Sequence, residues 1–580
     1  MTQPRRTVTA TMALTMVTGC AAAVALIRWW TSRRRVVFHM NPDEPGQLAM
    51  ARFLGGGTRW DMFDHSTWRP GYAALISPIT WFTDDPAVGL RAALAVNAVL
   101  GGVACVLLYL LARRLTALSV RWCALAALVV SLAPTLLFTT DWVWSEALVQ
   151  VTYLGCLLAV LRFLRRPSTW SGGAAAVLAA CGFAAHSRLL PLSVVVVAVV
   201  VVARRRRQLT IGRAGGLVVL VAALDVGVFR LSSWVVDHVW DDPAATNTAG
   251  GVAGRLSEVT AILASTFGQV WYQLVATLGV AGLGVLALAR AARRTGPATT
   301  TSDDAARPGT DAARLVLGTV TLLVGLSIVF MADRWRPDQL VYGRYNDVAL
   351  APVVLVGVGA LVLERRARLW RDLLVVVAVT VGAGLVLRVW RDDELRAAGA
   401  VRSMMLGLLV HLGPSTQIRT VGITVVAAVL MVALVGGAVV ASGRMRQVIV
   451  GVSLTVLLVG GYARTRPVVD RGSNSWDIAA DLRGLPDVLP AGATVRMRLV
   501  PSRDDPSATW AQQRLRSMLY QFYLPANSVV RDTDPAPRPW TPYVFAPLRD
   551  PDLVAAGAEL LWRDPAVSMG LWEEPPPTDG

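Results

Sequence analysis

AVGLRAALAVNAVLGGVACVLLYLLARR, residues 87–114, decides what kind of protein this is. From Ala87 to Leu111 the run is apolar with a single charge, Arg91, and it closes on Arg113-Arg114. An apolar run of roughly twenty residues crosses the hydrocarbon core of a bilayer as a helix. A basic pair at its end marks the cytoplasmic side. The pattern recurs. Moving outward, comparable segments are expected at about Val8–Ile27, Val120–Phe138, Ala147–Leu161, two within Gly172–Ala203, Ala214–Leu231, Val259–Leu288, Leu315–Met331, Val348–Leu363, Leu373–Val389, Val421–Ala441 and Val448–Gly461. The fold class expected is therefore mainly α, a polytopic membrane helix bundle of about thirteen spans.

Arginines test that scheme. With the N-terminus inside, every inward turn carries them: 113–114, 165–166, 204–207, 293–294, 365–368 and 444–446. Arg33–Arg35 fall on the outer side, a local exception to the charge rule. The chain has 580 residues, 54% of them hydrophobic, and a net charge of +17, with a mean hydropathy of +0.50. Such a charge could suggest nucleic acid, but the basic clusters sit at the ends of apolar runs, so no nucleic-acid partner is expected. Lysine is absent, and Ala, Val and Arg are abundant, which points to a GC-rich bacterial genome. The five cysteines lie in or beside apolar segments without metal-ligand spacing, so they imply no disulfide framework. The first run follows Arg5 and Arg6 and reads as a retained signal anchor.

Two domains are expected: a membrane core over 1–464, with a first exterior loop at 29–86, and a small extracytoplasmic α/β domain over 465–580. An odd number of spans places this tail outside. Its helical patterns (Trp476–Leu485, Trp510–Tyr523) alternate with strand-like runs at Thr494–Leu499, Ser528–Arg531, Tyr543–Phe545 and Glu559–Trp562. In the first loop, RPGYAALISPITWF (residues 69–82) is apolar but short and interrupted by Pro70 and Pro78, so it reads as a re-entrant or juxtamembrane helix.

Chemistry is sought where polar groups crowd the outer side. NPDEPGQLAMARFL, residues 41–54, reads as a turn in which Asp43 or Glu44 caps a helix starting at Pro45. The helix dipole favours negative charge there, and one of the two carboxylates could take a proton at the membrane surface. An ordinary capped interfacial helix would look the same. Asp141 and Glu146 stand where another helix begins, and capping alone would account for them. Arg188 interrupts apolar sequence at membrane depth, where a charge is costly and signals an ion pair or a function. Its neighbour His186 reads as a polar companion. Arg344 and Tyr345, in YGRY at 342–345, sit where the chain re-enters the membrane. Arg344 suits bidentate phosphate contact or headgroup snorkelling. Trp29-Trp30, Trp60, Trp68, Trp142 and Trp144 read as an interfacial aromatic belt that could also stack on a sugar. His39, Asp43, Asp61 and His65 could assemble a divalent-metal site, but their spacing matches no compact motif, and none is expected.

In this order, Asp43-Glu44, RPGYAALISP, SEAL at 145–148, Arg188 followed by Pro191, and YGRY resemble the membrane glycosyltransferases of the C superfamily. The likeness is strongest to the protein-mannosyltransferase-like and aminoarabinose-transferase-like branches. It covers about residues 8–390; WRPGY replaces a His-Pro-Pro-like element of many relatives. The resemblance implies an inverting transfer of a hexosyl or pentosyl unit from a polyprenyl-phosphate sugar to an envelope glycan, lipid or protein, at the outer face of a bacterial plasma membrane. Asp43 would be the base, with Glu44 as acceptor or orientation partner. Asp141, Glu146, Arg188, Arg344 and Tyr345 would bind substrate, the two arginines at phosphate. No cofactor is implied beyond the lipid-linked sugar. The alternatives are a membrane transporter or lipid flippase of envelope precursors, and a polymer ligase or scaffold that binds through the tail.

Overall fold

The computed structural model describes residues 10–38, 43–60, 69–140, 142–239, 254–293, 309–332, 337–398, 417–473, 482, 484–498, 516–531, 540–564 and 568–576. Among them, ten helices are long and apolar enough to cross a membrane, or eleven if one sharply bent pair is a single span. Two shorter apolar helices, Val120–Ser131 and Thr169–Ala185, stand where the third and fifth segments were expected. Each of the thirteen expected segments thus has its helix.

In chain order the helices are α1 (Ala10–Ser32), α2 (Asp43–Leu54), α3 (Gly71–Ile76), α4 (Pro86–Leu115), α5 (Val120–Ser131), α6 (Pro134–Thr140), α7 (Glu146–Arg165), α8 (Thr169–Ala185) and α9 (Pro191–Arg205). There follow α10 (Ile211–Val239), α11 (Val259–Ala276), α12 (Val280–Ala292), α13 (Thr310–Met331), α14 (Arg344–Leu363), α15 (Arg366–Ala398), α16 (Thr420–Val440) and α17 (Gly443–Ser473). Local chemistry sets many of the starts. The Asp85 carboxylate accepts the Ala87 and Val88 amides, and Pro86 takes the first position of α4, where a missing N–H costs nothing. Ser119 and Ser168 cap α5 and α8 in the same way. RPGYAALISPITWF forms α3 and a 3₁₀ turn, Ser77–Trp81, and does not span.

The bundle is built around α14. Its span, Gln339–Leu363, is 89% buried, whereas α1 and the apolar part of α17 are 11% buried and face outward. Arg344 is therefore the first residue of the innermost helix. One segment departs from expectation. The sequence predicts one continuous segment over Val259–Leu288, but the chain turns by 106° between α11 and α12. Leu278 and Gly279 have φ of 48° and 75° there. A Cβ on Gly279 would also press on Val376 and Met431, so glycine meets both demands. No proline announces the break.

The tail contains a five-stranded sheet, β1 (Thr494–Met497), β2 (Ser528–Arg531), β3 (Tyr543–Pro547), β4 (Glu559–Arg563) and β5 (Met569–Glu573), in the order β2-β1-β3-β5-β4. β1 runs parallel to β2 and β3, and β5 antiparallel to β3 and β4. One face closes a small core of Val544, Ala546, Leu553 and Trp572. The other packs on helix 516–523, where Tyr520 stacks on Phe545 at 4.2 Å. That helix joins the tail to the first loop. Phe522 meets Phe38 edge-on at 5.3 Å, the Tyr523 hydroxyl donates to the Val36 carbonyl, and Thr58 donates to the Pro525 carbonyl at 2.7 Å. Phe38, Met50, Tyr72, Leu519, Phe522 and Phe545 belong to one continuous apolar core. The first loop and the tail therefore fold onto each other, and α17 itself runs on through Ser473.

Candidate functional site

Four helix starts converge at one end of the bundle, because each carries the polar residue that interrupts its apolar run. α2 brings Asp43 and Glu44, α7 brings Glu146, α14 brings Arg344 and Tyr345, and the 3₁₀ turn Ser187–Leu189 before α9 brings Arg188. Arg344 is the hub. Its Nε and Nη2 donate to the two oxygens of Glu146 at 2.6 and 3.2 Å, and its Nη1 donates to Asp43. Its guanidinium lies 3.4 Å from the centre of the Trp144 ring, a cation–π contact. Glu146 also faces Arg188, with 3.6 Å between Oε1 and Nη2. The Arg188 guanidinium rests over the Tyr345 ring at 4.9 Å. Both Arg188 Nη atoms are buried and make no hydrogen bond among the described residues.

Exposure separates these groups. The Glu146 side chain is wholly buried and Arg188 and Arg344 nearly so, while Asp43 keeps 27% of its side chain exposed. Two carboxylates and two guanidinia balance in charge, which makes their burial tolerable. Asp43 is the member that an incoming molecule can reach.

Glu44 is not placed as expected. Its carboxylate is fully buried and accepts from both Arg35 Nη atoms at 3.0 and 2.8 Å and from the Val143 amide at 2.6 Å. It can meet no acceptor substrate. α2 also begins at Asp43 and not at Pro45, because Glu44 is drawn off the helix end by a charged partner and a free amide. Arg35, read as an exception to the charge rule, is that partner. The turn before α7 is pinned from a second side. The Asn97 amide donates to the Trp142 carbonyl at 2.7 Å, and the Tyr72 hydroxyl donates to Asn97 at 2.8 Å. Burial pushes the Tyr72 phenol well above its ordinary pKa, which suits it to donate. Trp144 is thereby held under Arg344. The Tyr in RPGY supplied the signal for this chain; nothing local pointed to Asn97.

Gly343 has its reason here as well. A Cβ on it would overlap the Tyr272 ring, and Tyr272 with Gln273 hydrogen-bonds the buried Asp347 at 3.3 and 3.2 Å. Asp347 and Gln273 form the polar rim of a cavity of about 130 Å³ beside α14, walled by Val129, Leu136, Leu278, Val354, Leu430 and Leu458. It begins one turn below Arg344. His186 caps its own turn, its Nδ1 accepting the Arg188 amide at 3.2 Å. Asp141, and His39, Asp61 and His65 of the metal combination, lie outside the described residues. Among the described residues no three His, Cys, Asp or Glu side chains converge as metal ligands.

No family model matches the chain, and no curated protein matches it in sequence. Solved structures do match in fold. ArnT from Cupriavidus metallidurans bound to undecaprenyl phosphate superposes with a TM-score of 0.53 at 15% identity, over 99% of this chain and 100% of that one. ArnT of the same organism in the apo state gives 0.49 at 16%, over 97% and 98%. The archaeal oligosaccharyltransferase AglB from Archaeoglobus fulgidus, in complex with an inhibitory peptide and a dolichol-phosphate, gives 0.45 at 10%, over 92% and 69%. The fold is that of the ArnT structure.

Proposed function

We propose that the chain is an inverting glycosyltransferase that moves a hexosyl or pentosyl unit from a polyprenyl-phosphate donor to an acceptor in the bacterial cell envelope. The observation that carries this reading is the pairing of a reachable carboxylate, Asp43, with a buried guanidinium, Arg188, whose Nη donors are unspent. Asp43 takes the proton of the acceptor hydroxyl. The hydroxyl oxygen attacks the anomeric carbon opposite the phosphate, and the bond from that carbon to the phosphate oxygen breaks, its electron pair leaving with the phosphate. Arg188 is the cation placed to hold that charge. Arg344, with three nitrogens committed to Glu146 and Asp43, positions the base more than it binds phosphate. Glu146 joins the two arginines from beneath, and Tyr345 lies under Arg188.

A lipid donor is supported by the apolar cavity that starts below Arg344, and undecaprenyl phosphate is the molecule bound in the ArnT structure of like fold. The outward face is supported by the arginines that close α7, α9 and α14, helices whose opening ends carry or adjoin this centre. The same cavity would suit a lipid flippase or transporter, the second reading. Purified protein in nanodiscs, given a labelled polyprenyl-phosphate sugar and envelope extracts, separates the two. Transfer by the native chain and none by Asp43→Asn is expected. Lipid translocation without transfer, untouched by Asp43→Asn, would overturn the enzyme.

A further inference from the structure

Arg344 opens α14, and the chain in front of it leans on a neighbouring helix. Gly343 takes the cap position and brings no side chain to cap with. Before it runs a 3₁₀ turn, Pro337–Val341, and the Tyr342 amide reaches the Gln339 carbonyl only at 3.4 Å. The apolar span begins at Gln339, so part of this turn lies within it. Backbone outside a regular helix is tolerated at membrane depth where surrounding protein satisfies its polar groups. Here one side chain of α11 does so. Gln269 is fully buried, and its Nε2 shares two N–H groups among the carbonyls of Gln339, Leu340 and Tyr342, at 2.9, 3.4 and 3.3 Å. Its Oε1 accepts from Asn346 Nδ2, in the first turn of α14, at 2.6 Å. Gln269 thus grips the chain on both sides of Arg344.

α11 is shaped to come this close. A Cβ on Gly268 would overlap the Leu340 carbonyl, as one on Gly343 would overlap the Tyr272 ring. Two residues beyond Gln269, and so on the opposite side of α11, Trp271 Nε1 donates to Thr424 of α16 at 2.8 Å. One side of α11 is anchored in the bundle, and the other carries the turn. Arg344 in its turn holds both Asp43 and Glu146. We infer that Gln269 is a positioning residue for the transfer: through the turn it sets where Arg344 stands, and through Arg344 it sets the aim of the Asp43 carboxylate. This rests on the reading of Asp43 as the base.

The test is a double-mutant cycle on the full chain in nanodiscs, with the labelled polyprenyl-phosphate sugar and envelope extract as probes. Gln269→Met keeps the length of the side chain and removes all of its hydrogen bonds. Turnover at saturating donor should fall about 10–100-fold, the scale for a misplaced reacting group. On the Asp43→Asn background the same change should cost less than about threefold, because the base it aims is already gone. Thr424→Val removes a buried hydrogen bond from the other side of the same helix. It should lower the melting temperature comparably and leave turnover within about twofold of native. Gln269→Asn is one methylene shorter and still polar. It should give a smaller loss that again vanishes on the Asp43→Asn background, and it carries the test if Gln269→Met does not fold. Near-native turnover of folded Gln269→Met, a full loss repeated on the Asp43→Asn background, or an equal loss in Thr424→Val would each overturn the role of Gln269 while leaving a slow Asp43→Asn to stand. Near-native turnover of Asp43→Asn itself would overturn both this inference and the reading beneath it.

Discussion

α14 has an arginine–carboxylate cluster at each end, and the two are built to different purposes. At the Leu363 end, Arg290 donates to Asp372 at 2.8 Å and reaches Glu364 at 3.5 Å, while Arg368 donates to Glu364 at 3.1 Å. Arg446 donates to the carbonyls of Leu361 and Glu364, both at 2.7 Å, and Arg366 to that of Ala441 at 3.3 Å. Each of these arginines donates to a carboxylate or to a helix-terminal carbonyl, and Arg290 and Arg368 are half-exposed. The cluster ties α12, α14, α15 and α17 together. At the Arg344 end, the carboxylate that binds both arginines is sealed, one arginine keeps buried donors unspent, and one carboxylate stays reachable. Asp372 at the other end also keeps one buried oxygen unpaired, but only the Arg344 end joins a buried arginine with unspent donors to a reachable carboxylate, and that combination marks it as the working end.

The sharpest way to break this contrast is Asp43→Asn. The amide keeps the size and can still accept from Arg344 Nη1, so the protein should remain folded. It cannot take a proton, and transfer should fall by about 10²–10⁴-fold. Near-native turnover would remove the base from α2. Next comes Arg188→Gln, which should cost about 10²-fold in kcat, the scale for losing a donor aimed at developing charge. Arg188→Lys should recover only part, because the planar fork is lost. Unchanged rates would reduce Arg188 to a packing cation over Tyr345.

The sequence carried the ends of the elements better than their meetings. Asp43-Glu44, Ser145-Glu146, Ser187-Arg188 and Arg344-Tyr345 each stand out because a polar pair interrupts apolar sequence, and each does open a helix or turn. Which pairs touch was not legible. Glu146 and Arg344 are joined across nearly 200 residues, and nothing in YGRY shows that its arginine would be spent on carboxylates. Arg35 looked like a charge on the wrong side because its partner Glu44 had been taken for a cap. Trp144 looked like any interfacial aromatic. β5 carries no strand signal in the sequence because its first four residues are buried and so lack the alternation that marks a half-exposed strand. The change of composition marks the tail as a second domain but does not show where it docks: Phe522 and Tyr523 seat it on Phe38 and Val36. Composition reports solubility, not docking.

Glu44→Gln probes the support beneath the working end. The amide can still accept from Val143 or from Arg35, but the ion pair goes, and Arg35 is left largely buried. A stability loss of about 2 kcal/mol is expected, the scale for hydrogen bonds to charged groups. Turnover should drop about tenfold through displacement of Asp43, since small misplacements of a reacting group are expensive. Melting temperature and kcat should therefore fall together, with donor affinity held. A loss of kcat as deep as that of Asp43→Asn, without loss of stability, would show that Glu44 meets substrate after all.

Arg290→Gln should have the smallest effect, and it tests the other side of the contrast. The change removes a half-exposed cation from Asp372 and Glu364. Glu364 retains Arg368, four residues along α15, and its backbone carbonyl retains Arg446. Water reaches this end, so the lost pair is screened and worth about 1 kcal/mol or less. α14 is long, about 30 Å at 1.5 Å per residue, and Arg344 is held at its far end by contacts that Arg290 does not share. Transfer should stay within about twofold of native, a difference that carries less than about 0.5 kcal/mol. A rate loss comparable to that of Arg188→Gln would mean that the two ends of α14 work as one unit, and the division drawn from their unspent donors would fail.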